Sequence, residues 1–318
     1  MLLGHLAEVG DPAPVPLPSV LGYLHVEKVR NLTRRLDEAD NASGPDPEMS
    51  SAAAAWALDV PGTEPVKRAL MIAVAQLHLQ AGWAGFDSGL YDRAMRHYGR
   101  ALKLGTDADD AYCQATALNW AGLATVEHGH PNDGLKMLQC GGVTARHIGS
   151  DLDLATVVIG ERSRVALQAC AQADSATALS RLDEPEKANT ALARSRELWT
   201  PTHADPGGDL DRPAACLELE RGRLDVAEPF AMASMRRWEG VGQVGRIGSA
   251  VVLAMIHVRA GEPRGLQLAH SAIAAAAQLT SVRVRRRLEP SAAVLEARSG
   301  SDAAQLARMA RQVAATRV

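Results

Sequence analysis

Small and apolar residues fall at helical steps in the stretch GWAGFDSGLYDRAMRHYGRAL (82–102), and a glycine divides it in two. Ala94, Tyr98 and Ala101 fall on one face of a helix, at spacings of four and three residues. Gly82, on the preceding helix, permits close approach of a neighbour, and Gly89 supplies the turn between the two helices. The pattern predicts a helical hairpin.

The same turn signal, a Gly or Asp followed by a polar or proline-containing pair and then a small-residue helix, recurs at Gly89, Gly129, Asp183, Gly222 and Gly261. The intervals are 40, 54, 39 and 39 residues, a little longer than the usual two-helix repeat. The second helices are predicted to start at Asp92, Asn132, Pro185, Asp225 and Glu262. Pro185 and Pro263 stand in the turn or the first helical turn, where a missing N–H costs nothing. The long interval holds the apolar stretch 152–173, which predicts an elongated or subdivided helix. No stretch alternates with the two-residue period of a strand, so the fold class is all-α, a solenoid of stacked hairpins.

Ahead of the repeats, residues 25–40 carry Val26, Val29, Leu32 and Leu36 at three- and four-residue steps, a charged amphipathic helix. Residues 1–24 read as a helical remnant with a proline-rich linker at 11–20, residues 25–50 as a linking helix and loop, and residues 51–318 as the repeat domain. The arginines of 281–298 and 302–317 suit a solvated terminal cap.

Composition supports stacking over a single large core. Hydrophobic residues make up 47% of 318 residues and aromatics only 3%, so the interior is built from Ala, Leu and Val. A net charge of −3 offers no general attraction to nucleic acid or to an anionic membrane. The cysteines Cys113, Cys140, Cys170 and Cys216 lie far apart with no CxxC pair, against a disulfide framework or zinc site and in favour of a reducing cytoplasm. No apolar run of about 18 residues and no basic-then-apolar leader is found.

The strings DRAMRHYGRAL, AYCQATALNWAGLATVEHGHPNDGLKMLQ (111–139) and ELWTPTHADPGGDLDRPAACLELERGRLDVAEPF (197–230) resemble the C-terminal tetratricopeptide region of bacterial XRE-type helix-turn-helix regulators. VEKVRNLTRRLDEAD resembles the segment that follows the DNA-binding domain in those proteins, and the likeness covers about residues 20–318. No helix-turn-helix precedes the linker. The resemblance implies a right-handed superhelix, a homodimer, and a regulatory module that senses a peptide or small molecule, with no DNA binding by this chain alone. A protein-interaction scaffold without a ligand switch is the other reading.

In such a superhelix the concave face is lined by the first helix of each pair. Counting back from the turns, the resemblance places Trp83, Phe86 and Asp87 there, then Leu123 and Glu127 with Asn119 one turn further back. Glu220 beside Arg212, and Met255 with Arg259, complete the lining. Trp83, Phe86 and Met255 equally suit the core between repeats. Asn119, able to donate to and accept from a ligand backbone, is the predicted centre of the groove.

Catalytic chemistry finds little footing. VEHGH (126–130) is the densest carboxylate and imidazole cluster, but its second histidine lies beyond the helix-ending Gly129, which predicts a solvated turn and no metal site. Neither GxSxG nor a glycine-rich phosphate loop occurs, so no enzyme activity and no cofactor are expected. Gly141, Gly142 and Gly149 are expected to serve helix packing. The run RVRRR (283–287 with its valine) is expected on a solvated face, and ADPGGD (204–209) as a connector.

Overall fold

The computed structural model describes residues 19–44, 60–149, 164–199 and 209–316. These residues are helical with no strand among them, so the chain is all-α. A first helix, α1 (Tyr23–Ser43), precedes five pairs: α2 (Glu64–Asp87) with α3 (Tyr91–Asp107), α4 (Ala111–Glu127) with α5 (Pro131–Thr144), α6 (Arg164–Arg181) with α7 (Pro185–Leu198), α8 (Asp211–Glu220) with α9 (Leu224–Arg237), and α10 (Gln243–Arg259) with α11 (Pro263–Ala277). The short α12 (Val282–Arg286), α13 (Leu288–Glu296) and α14 (Ser301–Ala315) follow.

Each pair is a hairpin because its turn demands a left-handed residue. Gly89, Gly129, Gly222 and Gly261 have φ of +75°, +97°, +74° and +74°, and Asp183 stands at +59°. All five expected turns therefore lie where the spacing put them, and the second helices begin within one residue of the expected starts. Pro131, Pro185 and Pro263 each open a helix, where the ring fixes φ and no donor is lost. Of the apolar stretch expected to form a longer helix, residues 152–163 lie outside the described residues and α6 takes up the remainder.

Glycine sets how closely the pairs approach. A Cβ on Gly82 would run into the Tyr98 ring, and one on Gly134 would meet Val126 and the Gly122 carbonyl. Leu79, Phe86, Ala94, Tyr98, Ala101, Ala117 and Ala124 fill the joint between α2, α3 and α4. The largest buried cluster joins α10, α11, α13 and α14 around Val251, Ile273, Leu288 and Leu295. By length and mean hydropathy α2 has the composition of a membrane span, although polar residues interrupt its apolar run; most of that window is buried in the protein.

The first helices of successive pairs also pack on one another, in the order α2, α4, α6, α8, α10, and form an inner layer. Two contacts close this layer. α1 packs on both α2 and α10, and α12 reaches α2 as well as α10. Thr280 donates to the Ser43 carbonyl through its N–H at 3.0 Å and its hydroxyl at 3.1 Å, tying the end of α1 to the loop before α12. α1 thus shares one core with the first pair through Val26, Val29, Leu36, Val66, Leu70 and Leu77.

Candidate functional site

Closure of the inner layer draws charged side chains together in a chain whose interior is built mainly of alanine, leucine and valine. Across the junction of α12 and α13, Val284 and Leu288 are four residues apart and turn into the apolar core, both 1% exposed. The residues one step earlier, Arg283 and Arg287, are consequently turned toward α2 and α4. Arg283 Nε donates to Asp87 Oδ1 at 2.7 Å, with both side chains buried. Its guanidinium also lies 4.9 Å from the Trp83 ring centre and 5.3 Å from that of Phe86. The expectation of a solvated RVRRR face is therefore corrected: Arg283 and Arg285 are buried, because α12 packs against the inner layer instead of capping its end.

Asp40 of α1 completes this end of the site. Burial, and secondly the Asp87 carboxylate, pushes its carboxyl well above the ordinary range, while Arg283 and a hydrogen bond from Trp83 act in the opposite direction. Tyr98 lies beneath, with its hydroxyl buried and its ionisation pushed up by that burial. Arg283 is the cation shared by Asp87, Glu127 and Asp40, and its pairing with Asp87 above all holds it charged against the cost of burial.

A second group lies one repeat along. Arg287 Nη2 reaches Glu127 Oε1 at 3.4 Å. Burial alone would raise the Glu127 carboxyl, but Arg287, Arg283, Arg181 and Arg212 together hold it below the usual range. Arg181 donates to the Val126 carbonyl, and Arg212 lies 3.7 Å from Asp209. Asp209 is pinned in turn: Ser234 and Trp238 donate to its Oδ2 at 2.7 and 2.9 Å, and the Arg212 N–H donates to its Oδ1 at 3.1 Å.

Of the residues expected in the groove, Trp83, Phe86, Asp87, Glu127 and Arg212 meet the inner arginines. The others do not. Asn119 is 3% exposed, its Nδ2 donates to the Leu167 carbonyl at 3.1 Å, and its Oδ1 is pressed against Gly141. It ties α4 to α6 inside the fold, which corrects its expected place as an exposed groove centre. Gly141 serves helix packing here, as expected. Leu123 packs in the cluster of α2, α3 and α4. Met255 packs between apolar clusters, and the exposed Glu220 and Arg259 make turn-end contacts, Arg259 to the Leu219 carbonyl at 2.8 Å.

The VEHGH cluster is divided between faces. Glu127 points to Arg287, whereas His128 stacks on Tyr91 with ring centres 3.8 Å apart. A different trio brings its donor atoms within 4.8 Å of one another: Glu228, His257 and Glu262. His257 Nδ1 lies 2.9 Å from Glu262 and its Nε2 lies 3.4 Å from Glu228, so the two carboxylates address opposite ring nitrogens. Arg264 bridges the same carboxylates at 2.7 and 3.0 Å. The arrangement is an ion-pair network linking α9, α10 and α11. Sequence reasoning missed it, along with Arg283, Arg287 and Asp40; the four-residue spacing of Arg283 and Arg287 beside that of Val284 and Leu288 was the available signal.

No family model matches this chain, and no curated protein matches it.

Proposed function

We propose that this chain is a tetratricopeptide-like, right-handed helical solenoid acting as the ligand- or partner-binding regulatory module of a bacterial transcriptional regulator. It works in the cytoplasm as a homodimer. The observation that carries the reading is the convergence of Trp83, Asp87, Glu127, Arg212, Arg283 and Arg287, from four separate parts of the chain, on one inner face. Ionic side chains are costly to gather in a helical core, and a purely structural stack could fill the same space with alanine and leucine. Because α12 and α1 close that face, a ligand that binds better to one curvature of the stack would shift the position of both. Such a shift is a physical means of signalling to a linked or partner DNA-binding domain.

Native mass spectrometry of the purified chain tests this reading. A dimer carrying a bound small mass or peptide is the expected result. A chain that retains nothing and instead forms a defined complex with another protein would favour a scaffold without a ligand switch.

A further inference from the structure

The arginines of the inner face are not all satisfied. Arg283 has Asp87, but among the described residues the Arg212 guanidinium has only the 3.7 Å approach to Asp209, whose oxygens are already taken by Ser234, Trp238 and the Arg212 N–H. Arg287 has a single long bond, 3.4 Å, from Nη2 to Glu127, and its Nη1 is buried with no partner. These two weakly held groups meet. A Cβ built on Gly248 would lie 3.2 Å from Arg287 Nη1 and 3.5 Å from Arg212 Nη1, so both guanidinium tips converge on the bare backbone of α10 at one point.

Two like charges at one point in a partly dehydrated cleft repel, and each unmade hydrogen bond adds to the cost. The Arg287 guanidinium registers the strain: burial, with Arg212 and Arg283 close by, pulls its ionisation down to about 10. A negatively charged group between the two tips would relieve the repulsion and take up the free donors. The planar donor fork of arginine matches a carboxylate or phosphate through paired hydrogen bonds. The Arg212 and Arg287 side chains are 18% and 25% exposed, so the pair borders solvent, while Arg287 Nη1 itself is buried and must turn outward to meet a ligand.

Resting on the reading of the inner face as a ligand site, we propose that Arg212 and Arg287, over Gly248, bind the oxyanion group, carboxylate or phosphate, of a small ligand. Glu127 on the far side of Arg287 orients that guanidinium and excludes an anion from its own side. Its single bond to Nη2 leaves Nη1 for the ligand.

Calorimetric titration of the whole chain with sodium phosphate and, separately, sodium acetate, each against sodium chloride of equal ionic strength, tests the site. Saturable binding of either anion is expected, and the tighter one identifies the source chemistry. Arg212→Gln and Arg287→Gln should each weaken it about tenfold or more, the scale of a lost charge-assisted hydrogen bond. Gly248→Ala favours the helix and places a methyl at the meeting point, so it should keep the helical signal and weaken binding as well; this variant decides the matter if the glutamine variants fail to fold. No saturable binding beyond chloride, or unchanged affinity in Gly248→Ala, overturns the proposal. A small mass that Arg287→Gln still retains in native mass spectrometry also overturns the oxyanion site while leaving the ligand-module reading standing.

Discussion

Arg283 and Asp87 lie 196 residues apart in the chain and share a 2.7 Å hydrogen bond with almost no exposure to solvent. The bond joins the last turn of the first hairpin's inner helix to a five-residue helix near the C-terminal end. Its geometry depends on everything between, because the curvature of the stacked pairs brings α12 back to α2. It is therefore a reporter of closure.

Breaking this pair from one side should cost more than replacing both partners. Arg283→Met leaves Asp87 buried and uncompensated, and Asp87→Leu does the same to Arg283; for each about 3–5 kcal/mol of lost stability is expected. The double variant Arg283→Met with Asp87→Leu should recover a substantial part, since neither residue then demands a charged partner. Urea unfolding of both single variants and the double variant provides the cycle; additive losses would mean that the pair contributes no coupling.

The hairpin turns were legible because a left-handed backbone position selects its residue locally. Gly89, Gly129, Gly222 and Gly261 announce the turns whatever the rest of the chain does, and Asp183 does so with a side chain that tolerates the same conformation. The inner face was legible only in part. Asp87 and Glu127 sit at the ends of their helices, where counting back from a turn locates them, but the arginines they meet arrive through closure of the stack. The spacing of Val284 and Leu288 marks one side of RVRRR for burial, but no local pattern says which carboxylates its arginines meet. Asn119 was misplaced for a related reason. A polar residue on an inner helix can face the cleft or the next repeat, and the contact that decides, Leu167 on α6, lies beyond residues 150–163.

Asn119→Ala should lower stability and leave inner-face binding unchanged. The substitution strips the buried Leu167 carbonyl of its side-chain donor, and a lost buried hydrogen bond costs about 1–3 kcal/mol. Trp83→Ala should affect both properties, because Trp83 packs 5.1 Å from Trp120 and also lies beneath the Arg283 guanidinium. Its large cavity predicts a loss of about 3–5 kcal/mol. Thermal melts paired with calorimetry distinguish the two; weakened binding in a fully stable Asn119→Ala would reverse this assignment.

Acid should loosen the first hairpin through His78. Its Nδ1 lies 2.9 Å from Nδ1 of His97, an arrangement that needs one nitrogen to be unprotonated. Burial first, and then the neighbouring His97 and Arg100, lower its pKa from 6.5 to about 4. The unfolded chain therefore takes up a proton first as pH falls, so the contribution of His78 is complete above 6.5 and is lost on the way down toward about 4. Urea midpoints measured across that window should fall with acid in the natural chain and fall less steeply in His78→Gln; parallel profiles would remove His78 as the cause.

Asp40 should impose the opposite slope. Buried beside Asp87 and sharing its arginine, it has a folded pKa well above 3.8, so the folded chain holds this proton more tightly than the unfolded one. Between those two values stability falls as pH rises, because ionising Asp40 places a second negative charge beside Asp87 in a dehydrated site. Asp40→Asn keeps the shape and a hydrogen-bonding oxygen while removing the ionisation. It should therefore be more stable than the natural chain at neutral pH, with the difference shrinking on acidification and closing near pH 4, about where an unfolded aspartate titrates. Denaturation of the two chains from neutral pH down to that point measures the difference. A gap of constant size would show that the asparagine acts through packing and that Asp40 carries no proton-linked stability.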